Sequence, residues 1–268
     1  MSRYLMCEHP KKIHCHESLF PEPNSICLSP KYSAHEQAVN LERHLIEKGF
    51  NSHNSEIHLV DFGGDILTDG LQSSIISPEL DAFSLAVVRQ MKSFRSKLLV
   101  MFPGVDGELD AKYLRFCCES RATDNYPFDK IFTERLEEVY EIVKVHRPGN
   151  TIPNMLKVLR KELNNIKLTK NWIRDGKKIT YTTVIDLDYG LQEQIWEFNI
   201  QEVSEQNPFT RPFLKSDYSL LLLLETILKI YSNQAEPGIQ LSDLFLQYLR
   251  KDSDEQIKSF RRRVKLDW

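Results

Sequence analysis

KLLVMFPGVDGELD, residues 97–110, is the stretch that decides the fold. From Leu98 to Phe102 the run is wholly apolar, and Pro103-Gly104 then stops it. A strand with no polar face belongs inside a parallel sheet that is covered on both sides. The segment before it, SPELDAFSLAVVRQMKSF (77–94), reads as a helix. Ser77 stands at the N-cap and Pro78 at the first helical position, where its missing N–H costs nothing. Leu80, Phe83, Leu85, Val87, Val88 and Met91 give this helix a broad apolar face. One step further back, IHLVDF (57–62) is a short β-rich run that opens into GGDILTDG (63–70). Strand, loop, helix, strand, loop, helix is a βαβ unit, and the right-handed crossover makes its two strands parallel.

Outward from this unit the pattern continues. Ser33 can cap a helix that carries Ala38, Leu41, Leu45 and Ile46 on one stripe and ends near Gly49. Further helices are expected over about 110–121, 129–145 and 151–164. KKITYTTVIDLDYG (177–190) alternates like a strand, and QIWEFNI (194–200) reads as another. DYSLLLLLETILKIYSN (217–233) and LSDLFLQYLRK (241–251) are late helices, the first with an apolar stretch at 218–231 expected to pack on the core. Residues 1–32 hold Pro10, Pro21, Pro23 and Pro30 without a sustained period, so an irregular arm is expected there and a single α/β domain over 33–268. The expected architecture is three-layer α/β with a mostly parallel, Rossmann-like sheet and a helical C-terminal part.

Bulk properties remove several function classes. The chain has 268 residues and a net charge of −3, so it lacks the overall positive field that neutralises phosphates, and nucleic acid is not an expected partner. MSRYLMCEHPKK lacks the apolar core of a secretion signal, and the apolar run at 220–224 is cut by Glu225 and Lys229, well short of a membrane span. Five unevenly spaced cysteines do not make a disulfide framework. A soluble cytoplasmic protein with reduced thiols is the expectation.

The chemistry concentrates in the two loops. A parallel sheet binds ligands beyond the carboxyl ends of its strands, and both proposed strands end there in glycines among carboxylates. One loop supplies Asp61, Gly63, Gly64, Asp65 and Asp69; the other supplies Gly104, Asp106, Gly107, Glu108 and Asp110. Glycine lets backbone approach a ligand closely. Carboxylates hydrogen-bond sugar hydroxyls, hold a hard cation such as Mg²⁺, or act as general acid or base once burial raises a pKa. The competing reading is ordinary turn chemistry and helix capping, with Asp110 no more than the N-cap of its helix. Two such loops at one sheet end favour a shared cleft. Asp61, Asp65, Asp106 and Glu108 are then the candidate catalytic residues, with Mg²⁺ or another divalent cation as the candidate cofactor and a small polar, sugar- or nucleotide-like ligand.

Other features weigh less. Cys7, His9, His14, Cys15 and His16 are zinc-type ligands in a spacing that fits no usual zinc pattern. Cys117 and Cys118 fall in a predicted helix, where packing is the simpler reading, and His146 suits a helix end. FRRRVK (260–265) in an acidic chain reads as a solvated tail.

Three pieces resemble a family of microbial α/β proteins catalogued as a domain of unknown function. VDFGGDILTDGLQSSIISPELDAFSLA matches an Asp-x-Gly-Gly-Asp motif followed by Ser-Pro-x-x-Asp-Ala. FPGVDGELD matches a Gly-x-Asp-Gly-Glu-Leu turn, and EVSEQNPFTRPF matches a late Asn-Pro segment. The likeness covers roughly residues 30–250 and carries over Asp61, Gly63, Gly64, Asp65, Asp81, Asp106, Gly107, Glu108, Asn207 and Pro208. It implies an α/β fold with the site at these loops and adds Asp81 and Asn207 to the candidate ligand-binding residues Gly63, Gly64, Asp69, Gly104 and Gly107. Family members begin with a glycine-rich turn after a first strand, whereas residues 1–32 here contain no glycine. A shortened site, or one completed by a partner chain or a second copy, is what that difference implies.

Overall fold

The computed structural model of the chain describes residues 28–231, apart from 30, 71, 73, 74, 76, 77, 129, 144–150, 175, 176, 216 and 217. The expected cap Ser77, His146, the Cys7–His16 cluster, the helix at 241–251 and the basic tail lie outside the described residues.

Helix α1 (Ala34–Glu47) starts at Ser33, whose hydroxyl accepts from the Glu36 N–H while the Glu36 carboxylate accepts from the Ser33 N–H. This reciprocal box satisfies two amide donors that a bare helix end leaves open. Strand β1 (Glu56–Phe62) follows, then α2 (Pro78–Gln90) and β2 (Arg95–Met101), with β1 and β2 parallel from Glu56 opposite Arg95 to Phe62 opposite Met101. The βαβ unit is therefore present with the expected strand direction. After α3 (Ala111–Arg121) comes β3 (Asp124–Pro127), then α4 (Lys130–Val143) and α5 (Thr151–Leu159). The short α6 (Tyr189–Gln192) leads into β6 (Gln194–Phe198), and α7 (Ile200–Gln206), α8 (Arg211–Lys215) and α9 (Leu220–Tyr231) complete the described chain.

The sheet order is β1-β2-β6-β3. Strand β6 runs antiparallel to both its neighbours, so β1, β2 and β3 share one direction and the sheet is mixed. On one face Leu59, Leu98, Val100, Trp196 and Phe198 pack with Leu85 and Val88 of α2, Leu114 and Cys117 of α3, and Val203 of α7. On the other, Leu99, Met101 and Ile195 meet Leu136 of α4 and Met155, Leu156 and Val158 of α5. That is the three-layer arrangement the run at 98–102 predicts.

A further helical layer lies outside α2. Ala34 and Ala38 of α1, Phe213 of α8, and Leu220, Leu223 and Ile227 of α9 close on Ala82, Phe83, Ala86 and Val87. Phe83 and Phe213 meet edge to face, with ring centroids 5.2 Å apart. Buried on both sides, α2 has to be apolar nearly all round, as its sequence is.

Two expectations need correction, and two strands were not expected. Ile46 is 53% exposed, because the α1 stripe follows Ala38 and Leu45 and leaves position 46 turned to solvent. The helix expected to 164 ends at Leu159, and Lys161 takes a left-handed φ of 57° that stops further helix. The expected strand is present at Lys177–Asp186 (β5), outside the four-stranded sheet. It pairs with β4 (Asn165–Arg174), a stretch the sequence reading leaves unassigned, as a separate two-stranded ribbon. Strand β3 was also not foreseen: all four of its residues are exposed, so it carries no apolar alternation to detect.

Candidate functional site

The two glycine loops leave β1 and β2 side by side. Gly63 N–H donates to the Met101 carbonyl at 3.1 Å, and Gly104 N–H donates to the Gly63 carbonyl at 2.6 Å, so the parallel ladder continues one step past the strands. Gly63 has φ 118° and Gly64 has φ 90°. A Cβ at Gly63 would stand 1.9 Å from Oδ2 of Asp106, so that carboxylate lies directly over the Gly63 backbone. At Gly64 the same atom would meet Leu114 at 2.9 Å, which places the α3 core against the loop.

Beyond Gly64 the chain makes a tight 3₁₀ turn, Asp65–Leu67, that is pinned from two sides. Asn207 donates its side-chain amide to the Ile66 carbonyl at 2.9 Å, and the Tyr113 hydroxyl donates to the Leu67 carbonyl at 2.9 Å. Asn207 also accepts from the Phe209 N–H with its own carbonyl oxygen, so this buried residue ties the loop to the start of the next turn. The second loop is held similarly, by Asn154 donating to the Val105 carbonyl and Gln192 donating to that of Pro103. Rigid backing of this kind is what holds a polar constellation in place.

Against this scaffold three carboxylates converge. Asp61, from the end of β1, accepts the Gly64 N–H at 2.8 Å. Asp65 opens the 3₁₀ turn, and Asp81 is the fourth residue of α2. One carboxylate oxygen from each lies within 4.8 Å of the others. Asp61 and Asp65 are buried, and Asp65 is hydrogen-bonded to both Asp81 and Asp61. Burial raises the Asp65 carboxyl above its ordinary value, against the pull of those hydrogen bonds. Asp106 is pushed up to about 8 by burial and then by the charge of Asp65, and its Oδ1 accepts the Glu108 N–H at 3.0 Å. Glu79, in the first turn of α2, is pushed up to about 7 by the same two causes.

The sequence candidates thus divide. The structure brings Asp61, Asp65 and Asp81 together, with Asp106 beside Asp65 and Glu108 buried two residues further on. Asp69 is only partly buried. Gly107 has φ 79° and donates to the Gly104 carbonyl, which makes it a turn residue. Asp110 is exposed and accepts from the Lys112 and Tyr113 N–H groups at 2.8 and 3.4 Å, so it caps α3 as the plainer reading has it. Cys117 and Cys118 are buried in the core, and burial raises both thiols. Glu79 escaped the sequence reading, because an acid after Pro78 looks like a residue that simply favours the helix dipole.

With this geometry in place, the family is identifiable. The chain belongs to the family described as "Protein of unknown function (DUF1152)", whose model matches residues 24–211, a span that includes both loops, Asp81 and Asn207. No curated protein and no solved structure matches the chain. Among the described residues, no helix is long and apolar enough to cross a membrane.

Proposed function

We propose that the sheet end formed by β1 and β2 binds a divalent cation through Asp61, Asp65 and Asp81 and presents it to a small polar ligand of sugar or nucleotide type. The observation that carries this reading is the grouping of these three carboxylates in a largely buried place. Burial raises Asp65, Glu79 and Asp106, and the charge of Asp65 adds to the rise at Glu79 and Asp106. Gathering carboxylates in a buried place is costly. A hard cation with oxygen ligands at about 2.4 Å would relieve that cost.

In an enzyme of this design, Asp61, Asp65 and Asp81 hold the cation, which when bound polarises a ligand oxygen or a water. Asp106 and Glu108, on the facing loop, accept hydrogen bonds from ligand hydroxyls and take up or release a proton. Gly63, Gly64, Gly104 and Gly107 set the backbone path that brings the loops together, while Asp69 and Asn207 sit at the rim and the base. The test is a melting series with Mg²⁺, Mn²⁺, nucleotides and sugar phosphates. A ligand present at about a hundred times its Kd adds about 2.7 kcal/mol, so the melting temperature is expected to rise with the cation. A flat response across the whole series would contradict the reading.

One observation favours a second reading, a non-catalytic subunit covered by a partner chain or a second copy. Strand β1 is at the edge of the sheet, and Val60 and Phe62 on it are 38% and 40% exposed. An apolar edge strand of this kind is a template for pairing with another chain. A clean monomer at every concentration in sedimentation would sink this reading.

A further inference from the structure

Helix α9 is apolar on more sides than the layer beneath it covers. It opens with five leucines in a row, Leu220–Leu224. Five successive residues pass right round a helix, so a single neighbouring layer cannot bury them all. Leu220, Leu223 and Ile227 are buried in the layer outside α2, whereas Leu221 and Leu222 are 40% and 47% exposed. A helix that is apolar all round belongs between two surfaces. The described residues supply one of them.

The chain carries a segment that matches the second. From Tyr231, the last residue of α9, it runs through SNQAEPGIQ (232–240) to LSDLFLQYLRK (241–251). There Leu241, Leu244, Phe245, Tyr248 and Leu249 recur at helical spacing, with Asp243, Gln247 and Arg250 between them. Eleven residues make a helix too short to hold by itself in water, so its apolar stripe needs a surface. The connection from 232 to 240 contains Pro237-Gly238, a turn signal, and spans up to about 30 Å. Helix α9 is 12 residues, about 18 Å, so the connection reaches any part of it.

We infer that the outer face of α9 at Leu221 and Leu222 is the docking site of this chain's own segment 241–251, which returns antiparallel along α9 as an amphipathic helix. The lengths agree. With Leu241 beside Tyr231, the ten steps from Leu241 to Lys251 match the ten from Tyr231 back to Leu221, so the last turn of the returning helix comes level with the two exposed leucines. Two antiparallel helices joined by a loop are a common packing unit. The inference is independent of the cation reading.

The experiment is amide hydrogen exchange on the full chain, in the parent, Leu222→Glu and the milder Leu221→Ser, with sedimentation of the same samples. In a monomeric parent the amides of 244–251 are expected to exchange at least roughly tenfold more slowly than in an unstructured chain. Leu222→Glu is expected to return them to the unstructured rate while the amides of α2 stay protected, and Leu221→Ser to move them in the same direction. Fast exchange of 244–251 in the parent would overturn the inference without any variant. Protection that survives both substitutions would place the segment on another surface and overturn it as well. Protection seen only where sedimentation finds dimers would make a second copy the occupant, which also overturns it. If Leu222→Glu fails to fold, the parent and Leu221→Ser decide.

Discussion

Gly63 shows how narrowly the site is built at the scale of one residue. Its φ of 118° is one that side chains rarely adopt, and the space a Cβ would need holds the Asp106 carboxylate. Gly63→Ala is therefore expected to lose about 1–3 kcal/mol from the backbone alone, with a further loss from displacing Asp106. A urea midpoint equal to that of the parent would show that the loop is not packed as described. Asp110 gives the opposite case. Asp110→Ala removes an α3 cap and should cost about 1 kcal/mol, yet leave cation-dependent stabilisation untouched, because its oxygen is engaged by the Lys112 and Tyr113 N–H groups. In the sequence Asp65 and Asp110 look alike, each an acid in a glycine-bearing loop ahead of a helical turn. What separates them is burial by distant chain, which no local pattern records.

At the scale of elements, the loops owe their shape to side chains far away in sequence. Asn207 reaches back 141 positions to the Ile66 carbonyl. Asn207→Ala leaves that buried carbonyl and the Phe209 N–H without partners, an expected loss of about 1–3 kcal/mol per unpaired group. Asn207→Asp loses the donor and sets a buried carboxylate against the Ile66 carbonyl, so at neutral pH it should melt no higher than the alanine variant; an alanine variant as stable as the parent would refute the tie. The main elements were legible for a plain reason. Leu98–Phe102 is apolar on both faces, Ser33 and Glu36 form their box locally, and α2 carries a broad apolar face. The ribbon strand β4, NIKLTKNWIR, is unassigned in the sequence reading although Ile166 and Leu168 alternate with polar residues, and β3 escapes it because an exposed four-residue strand needs no apolar pattern. The reversal of β6 depends on which sheet gap it fills, and its own residues do not encode that.

For the whole molecule, the buried acids make stability depend on pH in a definite direction. Burial pushes Glu79 from 4.5 to about 7 and Asp106 from 3.8 to about 8. Between about pH 4 and pH 8 the folded chain then binds more protons than the unfolded one, so these groups make stability fall as pH rises through that window. With a chelator present, the urea midpoint should be higher at about pH 5 than at about pH 8. Adding Mn²⁺ should restore it at the higher pH and do little at the lower, where protons already neutralise the acids. A midpoint that climbs with pH under chelation would contradict this account of the carboxylates.

The measurement that bears most directly on the central claim is calorimetric titration of Mn²⁺ into the parent and into Asp65→Asn. The variant keeps the side-chain shape and removes one buried charge, so it is expected to fold and to melt no lower than the parent without metal. Saturable binding in the parent and none in Asp65→Asn is the predicted result. Equal binding in both, or no binding in a folded parent, would show that the carboxylates gathered at the end of β1 are not a cation site.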